Sequence, residues 1–202
     1  CEVGKIKFEK MLAEKLAGLK IKENQIHKAI MNLGLNPEKP SDWSEEDILK
    51  FAFELRRISK PMIVALNKCD LISKDKTEEL LNRLKEKGYL GIPTSAEAEL
   101  ALRRASKAGL IDYLPGSSSF TVKDDSKLDE KQKSALHFIK EKVLDVYGST
   151  GVQECIERSA FELLNLIVVY PVEDEHHLTD KDGRVLPDAF LMPKGSTARD
   201  LA

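Results

Sequence analysis

The residues best suited to chemistry in this chain are Asn67-Lys68-Cys69-Asp70. In an N-K-x-D pattern the carboxylate at the fourth position accepts two adjacent donors, the ring N–H and the exocyclic amine of guanine. Adenine offers an acceptor at that ring position and has no 2-amino group, so the same carboxylate repels it. Charge-assisted hydrogen bonds contribute about 1.5–3 kcal/mol each, so two of them account for most of a guanine-over-adenine choice. Asn67 is expected to brace the loop and reach the far side of the base, and the stem of Lys68 to cover the base plane. About 25 residues on comes Thr94-Ser95-Ala96. A Ser95-Ala96 turn offers backbone N–H groups to the guanine oxygen, and its small side chains permit close approach. The plainer reading is that Asp70 caps the next helix, but a cap needs no Asn-Lys before it.

These motifs need elements that present them. Met62 to Leu66 is a continuous apolar run of strand length, which suits a parallel strand buried on both faces. A helix over about 74–87, Gly88 and a short strand over 89–93 follow, and then an Ala/Leu/Glu/Arg-rich helix over 95–108. This alternation predicts a doubly wound α/β sheet with both motifs at the carboxyl ends of strands, where open sheets bind ligands.

Upstream, Phe8, Leu12, Leu16 and Leu19 form one helical stripe, and Ile21, Ile26, Ile30 and Leu33 a second. Ser44-Glu45-Glu46-Asp47 resembles a capping box that opens a helix through Ile48, Phe51, Phe53, Leu55 and Ile58, with Trp43 stapled beside it. Downstream, 114–125 is a loop, Asp129 to Gln132 opens a helix reaching about Tyr147, and 152–164 is another helix. Leu166 to Tyr170 and Ala189 to Met192 predict a β-hairpin with a turn at Lys181-Asp182-Gly183. Lys194 to Thr197 then caps a last helix.

Composition excludes several classes. Thirty-two Lys and Arg against 34 Asp and Glu leave a net charge of −2, so the chain does not coat nucleic acid by bulk charge and any basic contact is local. No apolar run approaches the roughly 20 residues of a membrane helix. Cys1, Cys69 and Cys155 lack metal or disulfide spacing and are expected to be reduced thiols of a cytoplasmic protein, with Cys69 filling its loop and Cys155 in the core. Adjacent side chains diverge in an extended segment, so Asp174-Glu175-His176-His177 is expected to be a solvated loop and no metal site. His27 and His137 are expected to lack partners. Arg103, Arg104 and Lys107 form a basic helical face, usually solvated surface.

Together with the base motif, Ser95-Ala96-Glu97-Ala98-Glu99-Leu100, Gly148-Ser149-Thr150-Gly151-Val152-Gln153 and the run from Leu191 to Leu201 resemble the archaeal and eukaryote-like branch of the Obg/YchF-type GTPases. The last run resembles the start of a TGS domain, a small β-grasp module. The resemblance implies an α/β fold: a partial P-loop NTPase (GTPase) domain with a helical insertion, followed by the start of a TGS domain. It divides the chain into an insertion over 1–46, the later half of a GTPase domain over 47–165, and a TGS start over 166–202. It implies GTP and GDP binding, Mg2+ and a ribosome or RNA partner, with Lys194 and Arg199 as candidate RNA contacts. Bacterial YchF relatives depart from N-K-x-D and prefer ATP, whereas Lys68 and Asp70 favour guanine here.

The 202 residues contain no G-x-x-x-x-G-K-[ST] and no D-x-x-G switch that would order the catalytic water, so no catalytic residue is assigned in them. With a first residue Cys1 and a last helix just starting at Ala202, the chain is expected to be truncated at both ends and inactive alone, with the Mg2+ ligands upstream. The alternative reading is a non-enzymatic RNA or ribosome adaptor acting through the insertion and the TGS start.

Overall fold

The computed structural model describes residues 8–186 and 188–201, so the expectations for Cys1 and Ala202 lie outside the described residues. The chain is α/β and divides into two compact units, Cys1–Met62 and Ile63–Ala202.

The first unit is helical. α1 (Phe8–Lys15) and α2 (Glu23–Leu33) carry the predicted stripes, and α3 (Glu45–Ser59) crosses α2. Ile26, Ala29, Ile30, Phe51 and Leu55 form its buried cluster, with Phe8, Leu12, Leu16 and Ile58 packed around it. Leu19 leaves its stripe and is exposed, because the chain tightens into a 3-10 turn at Ala17–Leu19 and advances 120° per residue instead of 100°. On α3 the buried stripe is Phe51, Leu55 and Ile58, while Ile48 and Phe53 face solvent. Trp43 packs edge-on to Phe8, with ring centroids 5.5 Å apart, and against Phe51 at 5.2 Å. Its Nε1–H donates to Asn36 O. The expected boundary at 46/47 falls inside the first turn of α3, whose packing on α2 carries this unit through to residue 62.

The second unit begins with a strand–helix–strand crossover: β1 (Ile63–Asn67), α4 (Lys74–Glu86) and β2 (Leu90–Thr94). β1 and β2 are parallel and in register from Ile63 opposite Leu90 to Asn67 opposite Thr94. Both base motifs therefore leave the sheet side by side at carboxyl ends. Gly91 lets α4 close on β2, since a Cβ there would stand 2.8 Å from Leu81 Cδ2 and Leu84 Cδ1. The predicted doubly wound sheet is not formed among the described residues. One crossover yields two parallel strands, and the other sheets are short antiparallel pairs, β3 (Ile111–Asp112) with β4 (Thr121–Val122) and β5 (Leu166–Val169) with β6 (Phe190–Pro193). With a single strand neighbour β1 is only half-buried, against the expectation of burial on both faces.

The main core of this unit lies between helices. Ala98 and Leu102 of α5 (Ala96–Lys107) pack with Ile111, and with Leu136 and Ile139 of α6 (Glu130–Ile139). The expected helix to Tyr147 contains a π-helical turn, Lys140–Leu144, before α7 (Asp145–Tyr147). A second π turn, Ser159–Leu163, follows α8 (Val152–Arg158). The β5–β6 hairpin leads to Thr197 at the start of α9 (Ala198–Leu201), where Thr197 N–H and hydroxyl donate to Asp200 Oδ2 and Thr197 O accepts Asp200 N–H.

Three smaller expectations change. Cys155 is half-buried, with Sγ 3.6 Å from Thr94 Oγ1, and Ile156 beside it is exposed, so this face of α8 is not core. His27 and His137 do have carboxylate neighbours, Glu9 at 3.4 Å and Glu141 at 3.2 Å. Arg103 of the basic face is held against Glu99.

Candidate functional site

The loop after β1 turns at once. Lys68 adopts φ +67°, a left-handed conformation that costs a residue with a Cβ about 1–2 kcal/mol. The 3-10 turn Cys69–Leu71 then follows, and Ser73 caps α4 by accepting from Lys76 N–H. The loop after β2 is shorter, because Ser95 itself is the N-cap of α5 and accepts from Ala98 N–H.

Asn67 joins the two loops. Its Oδ1 accepts from Lys68 N–H at 3.0 Å and from Ala96 N–H across the sheet end at 3.1 Å. This bracing role was legible in the sequence, but its consequence for the Ser95-Ala96 turn was not. Ala96 N–H is held by Asn67 and Ser95 N–H by Thr150 O at 2.9 Å, so neither is free for a ligand as expected. The next first-turn donor, Glu97 N–H, has no acceptor among the described residues. That is the orphan amide a helix start leaves for a ligand oxygen.

An open cleft of about 640 Å³ runs from these loops between α5 and α6. Asp70, Ser95 and Glu97 line its loop end, Ala98, Ala101, Ala135, Phe138 and Ile139 form apolar walls, and Glu130 and Lys131 stand at the rim. Asp70 is half-buried, so its carboxylate is partly desolvated and still reachable. Three carboxylates against one lysine favour a ligand edge rich in N–H donors and disfavour phosphate. Of the predicted residues, Asp70 and Ser95 line the cleft, Asn67 and Ala96 tie its loops together, and Lys68 is exposed at the turn. Lys194 and Arg199 are exposed beside the β6 exit and do not line it.

Cys69 is buried. Burial, with the Asp70 charge second, pushes its thiol up to about 11, so it is an inert filler of the loop as expected. Asp174 receives His176 N–H, His177 N–H and His177 Nδ1, which organises a solvated turn.

The residue that sequence reasoning missed is Glu99. It lies buried on α5 and accepts from Arg103 Nε, Tyr113 Oη at 2.7 Å and Thr150 Oγ1. Burial alone would raise its carboxyl, but the donors Thr150, Tyr113 and Arg103 outweigh it and hold the group below its ordinary range. Tyr113 is pushed up to about 12 by burial and by the Glu99 charge. Nothing in the spacing of an acidic, Ala-rich helix distinguishes Glu99 from Glu97. Only the glycine pair flanking Ser149-Thr150 hinted that this turn is pressed against something.

Comparison with known proteins follows the same residues. The family model described as Obg-like GTPase YGR210-like, G4 motif-containing domain, matches residues 65–174. The chain is 52% identical over 193 residues to an uncharacterized GTP-binding protein of Methanocaldococcus jannaschii, covering 96% of this chain and 47% of that protein. It is 32% identical over 163 residues to an uncharacterized GTP-binding protein of Schizosaccharomyces pombe, covering 77% of this chain and 39% of that one. The crystal structure of a GTP binding protein from Pyrococcus horikoshii OT3 superposes with a TM-score of 0.74 at 48% identity, over 97% of this chain and 50% of that one. The chain thus spans about half the length, or less, of these relatives. Because the family model covers more than half of its 202 residues, base motif included, the chain belongs to the Obg-like GTPase family, in its YGR210-like group.

Proposed function

We propose that these residues are the base-reading part of a guanine-nucleotide-binding protein, and that the whole protein is a GTPase. The observation that carries this reading is the double acceptance at Asn67 Oδ1, which ties the Asp70 loop to the Ser95-Ala96 turn at the mouth of one cleft. Asp70 accepts the ring N–H and 2-amino group of guanine, Glu97 N–H supplies the donor to the guanine oxygen, and the Lys68 stem covers the base. The carboxylate rim directs the phosphates of GTP or GDP away from the cleft. The relatives described as GTP-binding support the same ligand.

The described residues do not fit a magnesium site. The hydroxyls of Thr94, Ser95 and Thr150 are engaged with Ile92 O, Ala98 N–H and Glu99, and no group of three His, Cys, Asp or Glu side chains gathers among the described residues. Phosphate cradling, cation binding and positioning of the attacking water are therefore assigned to segments outside these 202 residues. The wider reading is a cytoplasmic, YchF-like GTPase with a TGS start over 166–202 that contacts ribosomal or other RNA through Lys194 and Arg199. The β5–β6 hairpin and the exposure of both cations support it. No helix of the described residues is long and apolar enough to cross a membrane.

The test is Asp70→Asn in the full-length protein, read by nucleotide competition. GDP affinity should fall at least about tenfold, as loss of a charge-assisted bond implies, and preference should move towards xanthosine nucleotides. Unchanged guanosine-over-xanthosine selectivity would sink the assignment. Nucleotide-independent ribosome binding that survives the substitution would favour the adaptor.

A further inference from the structure

Buried Thr77, Ser95 and Glu99 all bond to one short segment, Tyr147-Gly148-Ser149-Thr150-Gly151, which runs from the end of α7 to the start of α8. Its own closure is local: Gly148 N–H donates to Leu144 O, Gly151 N–H to Ser149 Oγ and Cys155 N–H to Gly151 O. Its remaining bonds run outwards to the two loops of the cleft.

At one end, Tyr147 Oη donates to Cys69 O at 3.2 Å, inside the Asn67–Asp70 loop. Thr77 Oγ1 lies 3.0 Å from the same phenol and 3.2 Å from Ser73 O, so its single proton goes to one of these two oxygens while the phenol proton goes to the Cys69 carbonyl. At the other end, Thr150 O accepts Ser95 N–H, and the Thr150 hydroxyl donates to Glu99 in the first turns of the helix that Ser95 caps. Gly151, at φ +75°, presses its backbone on the end of β2, where an added Cβ would lie 1.9 Å from Pro93 O. Three successive contacts thus fix Cys69, Ser95 and Pro93 to one five-residue segment.

We propose that the Tyr147–Gly151 turn sets the spacing between the Asp70 loop and the Ser95-Ala96 turn, with Tyr147 and Thr150 as positioning residues for purine recognition. This rests on the guanine reading above. Neither residue lines the cleft, so both act through the loops they hold. Two-edge recognition of a flat base needs the carboxylate and the opposing N–H at a fixed separation, and small misplacements at such a site are costly. Asn67 joins the loops at the sheet end but leaves the chain beyond it free to pivot. A second tie at Cys69 and Ser95 removes that freedom.

The experiment measures GDP and IDP affinities of the full-length protein by competition, because inosine lacks the 2-amino group and the GDP-to-IDP ratio reports the Asp70 contact. Tyr147→Phe removes one hydroxyl and keeps the ring. It should weaken GDP about five- to tenfold, the scale of one lost hydrogen bond, and bring the ratio towards one. Thr150→Val should act in the same direction, and Thr150→Ser, which keeps the hydroxyl, should restore the ratio. In an Asp70→Asn background Tyr147→Phe should change the ratio little, a non-additivity that general destabilisation would not produce. If Asp70→Asn shifts base preference while Tyr147→Phe and Thr150→Val leave the ratio unchanged, the spacing proposal is overturned and the guanine reading stands. If Asp70→Asn shifts nothing, both fall.

Discussion

Both units bury apolar cores, but they differ in the polar groups buried beside them. The helical unit buries Ile26, Ala29, Ile30, Phe51 and Leu55, with Glu9 as its one buried polar residue among those described. The α/β unit buries Thr77, Thr94, Ser95, Glu99 and Thr150, and every one of them belongs to, or bonds with, the loops at the cleft or the turn behind them. Apolar packing has no preferred direction, so it holds helices together without fixing any one group to fractions of an ångström. Hydrogen bonds in a desolvated setting are directional and strong, and leaving one unmade is costly. The contrast teaches where accuracy of placement matters in this chain: behind the Asp70 and Ser95 loops.

Two glycines test that contrast most severely. Gly34 ends α2 at φ +65°, with nothing within 4 Å of an added Cβ, so Gly34→Ala should cost only its backbone strain, about 1 kcal/mol. Gly151 has a similar φ, but its Cβ would meet the Pro93 carbonyl at 1.9 Å. Gly151→Ala should therefore cost about 3 kcal/mol or more, the range reserved for steric disruption of packed backbone. Urea melts of the two variants give the comparison directly. Equal losses would mean that the turn yields easily and does not hold the loops.

The same contrast explains what could be read in advance. The stripes of α1, α2 and α3 and the capping boxes at Ser44 and Asp129 were legible because they are periodic or local. So was the place of Asn67-Lys68-Cys69-Asp70 at the carboxyl end of β1, since the apolar run before it marks the strand. Leu19 misled because the 3-10 turn rotates it off its stripe, and Ile48 and Phe53 because an apolar residue in a helix need not lie on its buried face. Glu99, Thr150 and Tyr147 were illegible for a different reason. Their partners are distant in sequence, and a buried carboxylate with three donors has the same one-letter code as a solvated one. The π turn at Lys140–Leu144 likewise leaves no mark in the pattern, although it precedes the segment that ends in Tyr147.

A middle-sized effect comes from acid. Arg57, and then Asn32, hold Glu54 of the helical unit down to about 2 against its burial, and the donors around Glu99 keep that carboxyl low as well. Both groups are depressed on folding. Their stabilisation is complete above the ordinary glutamate value of 4.5 and is lost as pH falls through the folded value, which for Glu54 is a window from 4.5 to about 2. Glu99→Gln places an amide donor among three donors and should cost about 1.5–3 kcal/mol at neutral pH. The penalty should shrink below pH 4.5, where wild-type Glu99 loses its own advantage. Stability measured across pH 3–7 decides it, and a penalty that stays constant with pH would mean that the ionised carboxylate is not what holds Thr150 and Tyr113. Glu54→Gln should show the same sign of pH dependence without altering nucleotide affinity.

The smallest effect sharpens the comparison by removing stability from it. Ser44 opens α3, accepting Asp47 N–H at 3.1 Å while its own N–H reaches Asp47 Oδ2. Asp129 opens α6 in the same way, accepting Gln132 N–H at 2.7 Å and donating to Gln132 Oε1. Each is an exposed local cap, so Ser44→Ala and Asp129→Ala should lower stability by similar amounts, about 1 kcal/mol. Their consequences for ligand should differ. The first turn of α6 carries Glu130 and Lys131 at the rim of the cleft, and fraying it displaces that wall. Asp129→Ala should therefore weaken GDP by a few-fold, whereas Ser44→Ala should leave GDP affinity where it was. Competition binding on the pair, matched for stability, separates a wall that merely encloses the cleft from one the base rests against. Identical GDP affinities would confine recognition to the Asp70 and Ser95 loops.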